Sequence, residues 1–266
     1  MSMTKLSWVS ALLISISSSV SAIPLFDSGI PAGWNCTGNC GTAGADGVVT
    51  LAPSGGSQYG WVSTNGGISD VGPFGGTDGS VLRSGLFAAV AGDNLQFSFN
   101  YVTSDGGGYA DYAWARLLDN TMTEVAMLFT ARTKPVGSIV PGQDMPLPTA
   151  TLTPTDVPII PGGPLWSVLG EDSGKCYLGP TQGCGYTDWI QSDYEILAAG
   201  NYFLEFGVAN WTDTLYDSGL AFDGVTVGGK PIDEVTVPDG TVPEPATLAL
   251  MGFGLAGLGF ARRKKA

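Results

Sequence analysis

The chain has no histidine among its 266 residues, which removes Ser-His-Asp and Cys-His activation of a nucleophile and every imidazole metal ligand. Carboxylate oxygen is what remains for chemistry. Asp105, Asp111, Asp213, Asp217 and Asp223 lie at predicted strand ends or turns beside aromatic residues, and paired carboxylates are the machinery of glycoside hydrolysis. Two stretches, Thr103 to Trp114 and Asn210 to Asp223, concentrate aspartate, aromatics and glycine. Oxygen-rich turns at a sandwich edge bind Ca²⁺, here through Asp213, Asp217 and Asp223, while the faces of Trp114 and Trp211 suit sugar rings. Against this, aspartate is a common turn residue and a tryptophan in an alternating strand is commonly core. No carboxylate pair stands out. The residues therefore point to a body that binds rather than catalyses, with no required cofactor and Ca²⁺ admitted; no catalytic residue is assigned. A carboxylate-dependent glycan hydrolase is the alternative.

The four cysteines come as two close pairs, Cys36 with Cys40 and Cys176 with Cys184. In an exported chain, which the leader discussed below predicts, an even count reads as disulfides. Three pairings exist and the local one is simplest, each small loop contributing roughly 2–3 kcal/mol. A four-cysteine zinc site is the alternative, although the spacings fit no common zinc motif. Asn35 and Asn210 open glycosylation sequons, a weak signal because such matches arise by chance.

Charge narrows the partners. Between the two ends stand six basic residues (Arg83, Arg116, Arg132, Lys134, Lys175, Lys230) and 23 of the 24 acidic ones, Glu244 lying in the tail, a net charge near −17. Nucleic acid and anionic lipid are excluded as partners of the body. Cations and neutral polymers such as exopolysaccharide remain, beside the plain reading that the charge keeps an exported protein soluble.

The elements that must position these groups read as strands. Leu95, Phe97, Phe99 and Tyr101 alternate with Gln96, Ser98 and Asn100, and the same period recurs at Tyr202 to Val208 and Val125 to Phe129. Ala221, Asp223, Val225 and Val227 alternate with Leu220 and Phe222, a strand covered on both faces near its start. Further strands are predicted at 47–52, 59–64, 81–90 and 109–118. No body segment sustains helical periodicity. An all-β, antiparallel, jelly-roll-like sandwich over 23–227 follows. Eight prolines in residues 135–164 exclude a central strand or helix there. We read that segment as an excursion packed over one domain, with two domains as the alternative, and residues 228–241 as a linker.

The ends are addressed. Lys5, the apolar run Leu6 to Ile16 and Val20-Ser21-Ala22 form a signal peptide over 1–22, cleaved by signal peptidase. At the other end Val242-Pro243-Glu244-Pro245 precedes an apolar run, Thr247 to Ala261, and the basic stop Arg262, Arg263, Lys264, Lys265. Fifteen helical residues span about 22 Å, short of the roughly 30 Å hydrocarbon core, so this helix suits transient membrane insertion better than residence. The basic stop stays cytoplasmic and leaves the body outside. Residues 242–266 resemble the PEP-CTERM sorting signal of Gram-negative bacteria. The resemblance implies processing by an exosortase at Pro243, Glu244 and Pro245, passage through the inner membrane, and a destination at the cell surface or in the extracellular matrix. The stretch from Asn210 to Asp223 is similar to the last strand of carbohydrate-binding-like sandwiches found ahead of such tails.

Overall fold

The computed structural model describes residues 25–235. The expected signal peptide, sorting motif, apolar run and basic stop lie outside the described residues. Among the described residues no helix is long and apolar enough to cross a membrane.

Eleven strands carry the fold: β1 (Asn35–Thr37), β2 (Asn39–Ala43), β3 (Tyr59–Ser63), β4 (Asp78–Arg83), β5 (Asn94–Thr103), β6 (Tyr112–Asp119), β7 (Glu124–Arg132), β8 (Thr151–Thr153), β9 (Ile190–Glu195), β10 (Gly200–Ala209) and β11 (Ser218–Val227). All pair antiparallel, in two sheets. The first has the order β1-β4-β10-β6-β7 and the second β8-β9-β5-β11-β3-β2, with short strands added to each. This is the all-β sandwich the alternation predicts. Successive strands step from sheet to sheet, so residues far apart in sequence become neighbours.

The alternating apolar positions meet between the sheets. Leu95, Phe97, Phe99 and Tyr101 of β5 face Leu204, Phe206 and Val208 of β10 in one core. Phe206 stacks on Phe222 of β11 with centroids 4.0 Å apart and takes the edge of Phe97 at 5.0 Å. Phe99 stacks on Phe129 of β7 at 3.7 Å. Each such pair adds about 1 kcal/mol to the area it buries.

Both sheets are also covered outside. Trp166, Val168 and Leu169 pack with Tyr59, Val102 and Ala221 on the second sheet, which is why Ala221 and Phe222 are both buried. On the first sheet Trp114, Tyr112 and Val81 lie under Val71 and Phe74. Within residues 135–164, Thr151–Thr153 joins the second sheet as its edge, and Ile139, Val140, Leu152 and Val157 reach the main core.

Some predicted strands shift. Residues 47–52 form no strand: Gly47 has φ +56°, and the carbonyl of Leu165 occupies the place a Cβ would take. The segment turns there, keeping only a bridge between Asp46 and Val49. The strand expected over 81–90 is split into Asp78–Arg83 and Phe87–Ala89, and the one expected over 109–118 begins at Tyr112.

Both disulfides are local, as expected, and the zinc alternative falls with them. Cys36–Cys40 (Cα–Cα 6.0 Å) joins β1 to β2, the neighbouring edges of different sheets. Cys176–Cys184 (5.5 Å) closes a loop between the excursion and β9. Residues 32–34 and 232–235 meet around a cavity of about 110 Å³ beside Ser84 and Leu86. The described chain therefore starts and stops near one end of the sandwich.

Candidate functional site

The opposite end is where the aspartates gather. Antiparallel pairing brings together the end of β3 (Thr64), the start of β4 (Asp78), the end of β5 (Thr103 to Asp105), the start of β6 (Asp111), the end of β10 (Asn210) and the start of β11 (Asp217, Ser218). Side chains and backbone knit these ends together. Asp111 accepts the Ser218 hydroxyl at 2.6 Å and the Trp211 N–H at 3.0 Å. Asp217 accepts from the Thr64 hydroxyl at 2.9 Å, and its own N–H donates to Asp172 at 3.1 Å. Asn210 donates its amide to Asp78 at 3.0 Å. Asp105 accepts the Gly106 N–H at 2.6 Å.

Burial makes these carboxyls reluctant to ionise. Asp105 and Asp111 are 1% and 0% exposed. Desolvation pushes Asp105 up to about 7, with Asp213 and Asp172 adding repulsion. Asp111 is raised well above the carboxylate range by burial and by Asp105 beside it. Asp217 is pushed up to about 6 by burial, its hydrogen bond from Thr64 opposing. These are the three causes of a shifted pKa acting in one place.

Over this acidic end lies an aromatic surface. Tyr177 meets Tyr109 with ring centroids 5.3 Å apart and Tyr216 at 5.2 Å, both edge-on and all three half-buried. The Tyr177 N–H binds the Ser104 carbonyl at 2.9 Å, and the neighbouring disulfide fixes its loop. Tyr216 has φ +59° and Thr212 φ +80°. A bulky residue in that region is strained, a condition that concentrates at binding sites.

The sequence candidates fare unevenly. Asp213 and Asp217 share this end, but Asp223 does not: it sits along β11 against Ser54, with Asp27 as its nearest acid. Among the described residues no three acidic side chains are grouped closely enough to hold a metal between them, so Asp213, Asp217 and Asp223 are not one site. Trp114 is fully buried and cannot offer a face to sugar. Its ring fills the space beside Gly207, and its indole N–H points at Glu205, 3.3 Å away. Trp211 is half-buried, with the Arg132 guanidinium 4.7 Å over its ring and the edge of Tyr112 against it. It therefore walls a polar cleft of about 210 Å³ with Arg132 and Lys134 and is no free platform. Asn210, a sequon asparagine, is wholly buried. Asp105 and Asp111 were visible from sequence as acids. Asn210 was visible only as a sequon asparagine opening an aspartate-rich stretch; Tyr177 was not, and its one available signal was its place beside Cys176.

Asp223 has a measurable consequence of its own. Burial pushes its carboxyl up to about 6, so it favours folding below its unfolded pKa near 3.9, and that contribution is lost as pH rises through 6. Asp223→Asn is expected to gain about 2 kcal/mol relative to the parent at pH 8 and almost nothing at pH 4. Urea denaturation at the two pH values reads the difference.

The tail decides where this body is sent. Residues 241–265 match the PEP-CTERM protein-sorting motif. The chain carries a PEP-CTERM tail. It belongs to an exported protein, held transiently in the membrane and processed by an exosortase. No curated protein sequence matches the chain. Among solved structures it is similar to the enzymatically active domain of tailspike protein 4 from bacteriophage CBA120 (13% identity, TM-score 0.34), over 74% of this chain and 19% of that one. The K1 and K3 cleaved adhesin domains of Lys-gingipain from Porphyromonas gingivalis W83 show 12% and 13% identity and TM-scores of 0.35 and 0.37. Each match covers 76% of this chain, and 94% and 95% of theirs.

Proposed function

We propose that the PEP-CTERM tail delivers this sandwich to the surface or extracellular matrix of a Gram-negative cell, where it binds neutral polysaccharide without catalysis. The observation that carries the reading is the tyrosine trio Tyr109, Tyr177 and Tyr216 on the acidic end. Half-buried aromatic rings held edge to face offer apolar surface to sugar C–H groups and hydroxyls to sugar hydroxyls. The body's charge near −17 favours an uncharged polymer over an anionic one. Asp105 and Asp111 come nearest to a glycosidase pair, but both are buried beneath the loops, which supports binding rather than hydrolysis.

The test is retention of the full chain on neutral polysaccharide from the host. Tyr177→Ala and Tyr216→Ala are each expected to weaken binding roughly tenfold, equivalent to about 1.4 kcal/mol, with circular dichroism unchanged. Retention that is absent in the parent chain, or unchanged from the parent in both variants, defeats the reading.

A further inference from the structure

Two buried oxygen atoms at the acidic end have no hydrogen-bond partner: Oδ2 of Asp105 and Oδ1 of Asn210. Both residues are at least 99% covered, and an orphaned buried acceptor costs about 1–3 kcal/mol. The orientation of Asn210 is fixed, because its amide donates to Asp78 at 3.0 Å; turning it over would set its oxygen against a carboxylate.

The chain segments that carry the two atoms both meet Asp111. The Asp105 and Asp111 carboxyls are close enough to repel one another, and Asp111 accepts the N–H of Trp211, the residue after Asn210. Asp111 already takes donors on both oxygens, from Trp211 and Ser218. A proton shared between the two carboxyls would still leave Asn210 Oδ1 without a partner, whereas a cation would face that oxygen and both carboxylates at once.

We propose that Asp105, Asp111 and Asn210 bind one calcium ion. Two carboxylates balance a dication, and a side-chain amide oxygen is an ordinary third ligand. Backbone carbonyls and water complete the six to eight oxygens that calcium accepts. Two acids rather than three is consistent with the spread of the remaining aspartates. The ion joins the end of β5 in one sheet to β6 and β10 in the other. The site stands independently of polysaccharide binding.

Isothermal titration of the chelator-treated full chain with CaCl₂ should show one ion bound per chain, and the same addition should raise its Tm. Asp105→Asn and Asn210→Leu should each lower affinity at least about tenfold. Asp223→Asn, a buried carboxyl elsewhere on β11, should bind calcium as the parent does. No heat and no Tm shift in the parent chain up to about 10 mM, above the range of extracellular calcium modules, would overturn the proposal. So would equal affinity in the parent and both site variants.

Discussion

Replacing Arg83 and Arg116 together by Met is expected to cost about 3–5 kcal/mol at pH 7, and adding Glu205→Met should restore most of it. Glu205 is 1% exposed on the outer face of the first sheet. It accepts from Arg83 at 2.7 Å and Arg116 at 2.6 Å, and from the Trp114 indole. Burial pushes its carboxyl up, but the hydrogen bonds and charges of Arg116 and Arg83 overcome that and hold it below the usual range. The parent chain therefore gains stability from Glu205 above its unfolded pKa near 4.3 and loses it as pH falls through the folded value. Removing both guanidinium groups leaves a desolvated charge, and the dependence changes sign: the double variant is weakest at neutral pH and recovers on acidification. Urea denaturation of parent, double and triple variants from pH 4 to 8 checks both statements. A double variant as stable as the parent at pH 7 would mean that water reaches Glu205.

Phe206→Ala should cost about 3–5 kcal/mol at any pH. This ring is fully buried and touches both sheets, lying face to face with Phe222 and against the edge of Phe97. Its loss removes transfer energy and leaves a void the stacked neighbours cannot fill without breaking their own contacts. Phe206→Leu keeps most of the volume and should cost about half as much. Equal losses for the two would show that the aromatic geometry, and not the filled space, carries the stability.

The alternating strands were legible because a period of two over Leu95 to Tyr101 admits one half-buried arrangement. Residues 47–52 were misread for a physical reason. Their β-branched and aliphatic side chains suit a strand, yet only Val48 and Val49 pack on a sheet's outer surface, in a turn shaped by Gly47, while Thr50 and Leu51 stay exposed. Trp114 was ambiguous for a related reason: alternation gives a residue's face but not whether that face is covered. The loop carrying Gly72 and Phe74 covers it. The acidic end was half visible. Composition marked Asp105 and Asp111, but the meeting of Asp111 with Ser218 and Trp211 spans about a hundred residues of sequence and depends on strands crossing between sheets. No local spacing records such a convergence.

The described chain enters and leaves beside Ser84 and Leu86, while the tyrosines and aspartates crown the far end, about 30 Å away along a ten-residue strand. Any attachment made through the residues after Val235 grips the body by its base. The tyrosines and aspartates would then stand at the end of the sandwich farthest from such an attachment, and modules attached side by side would present those ends together.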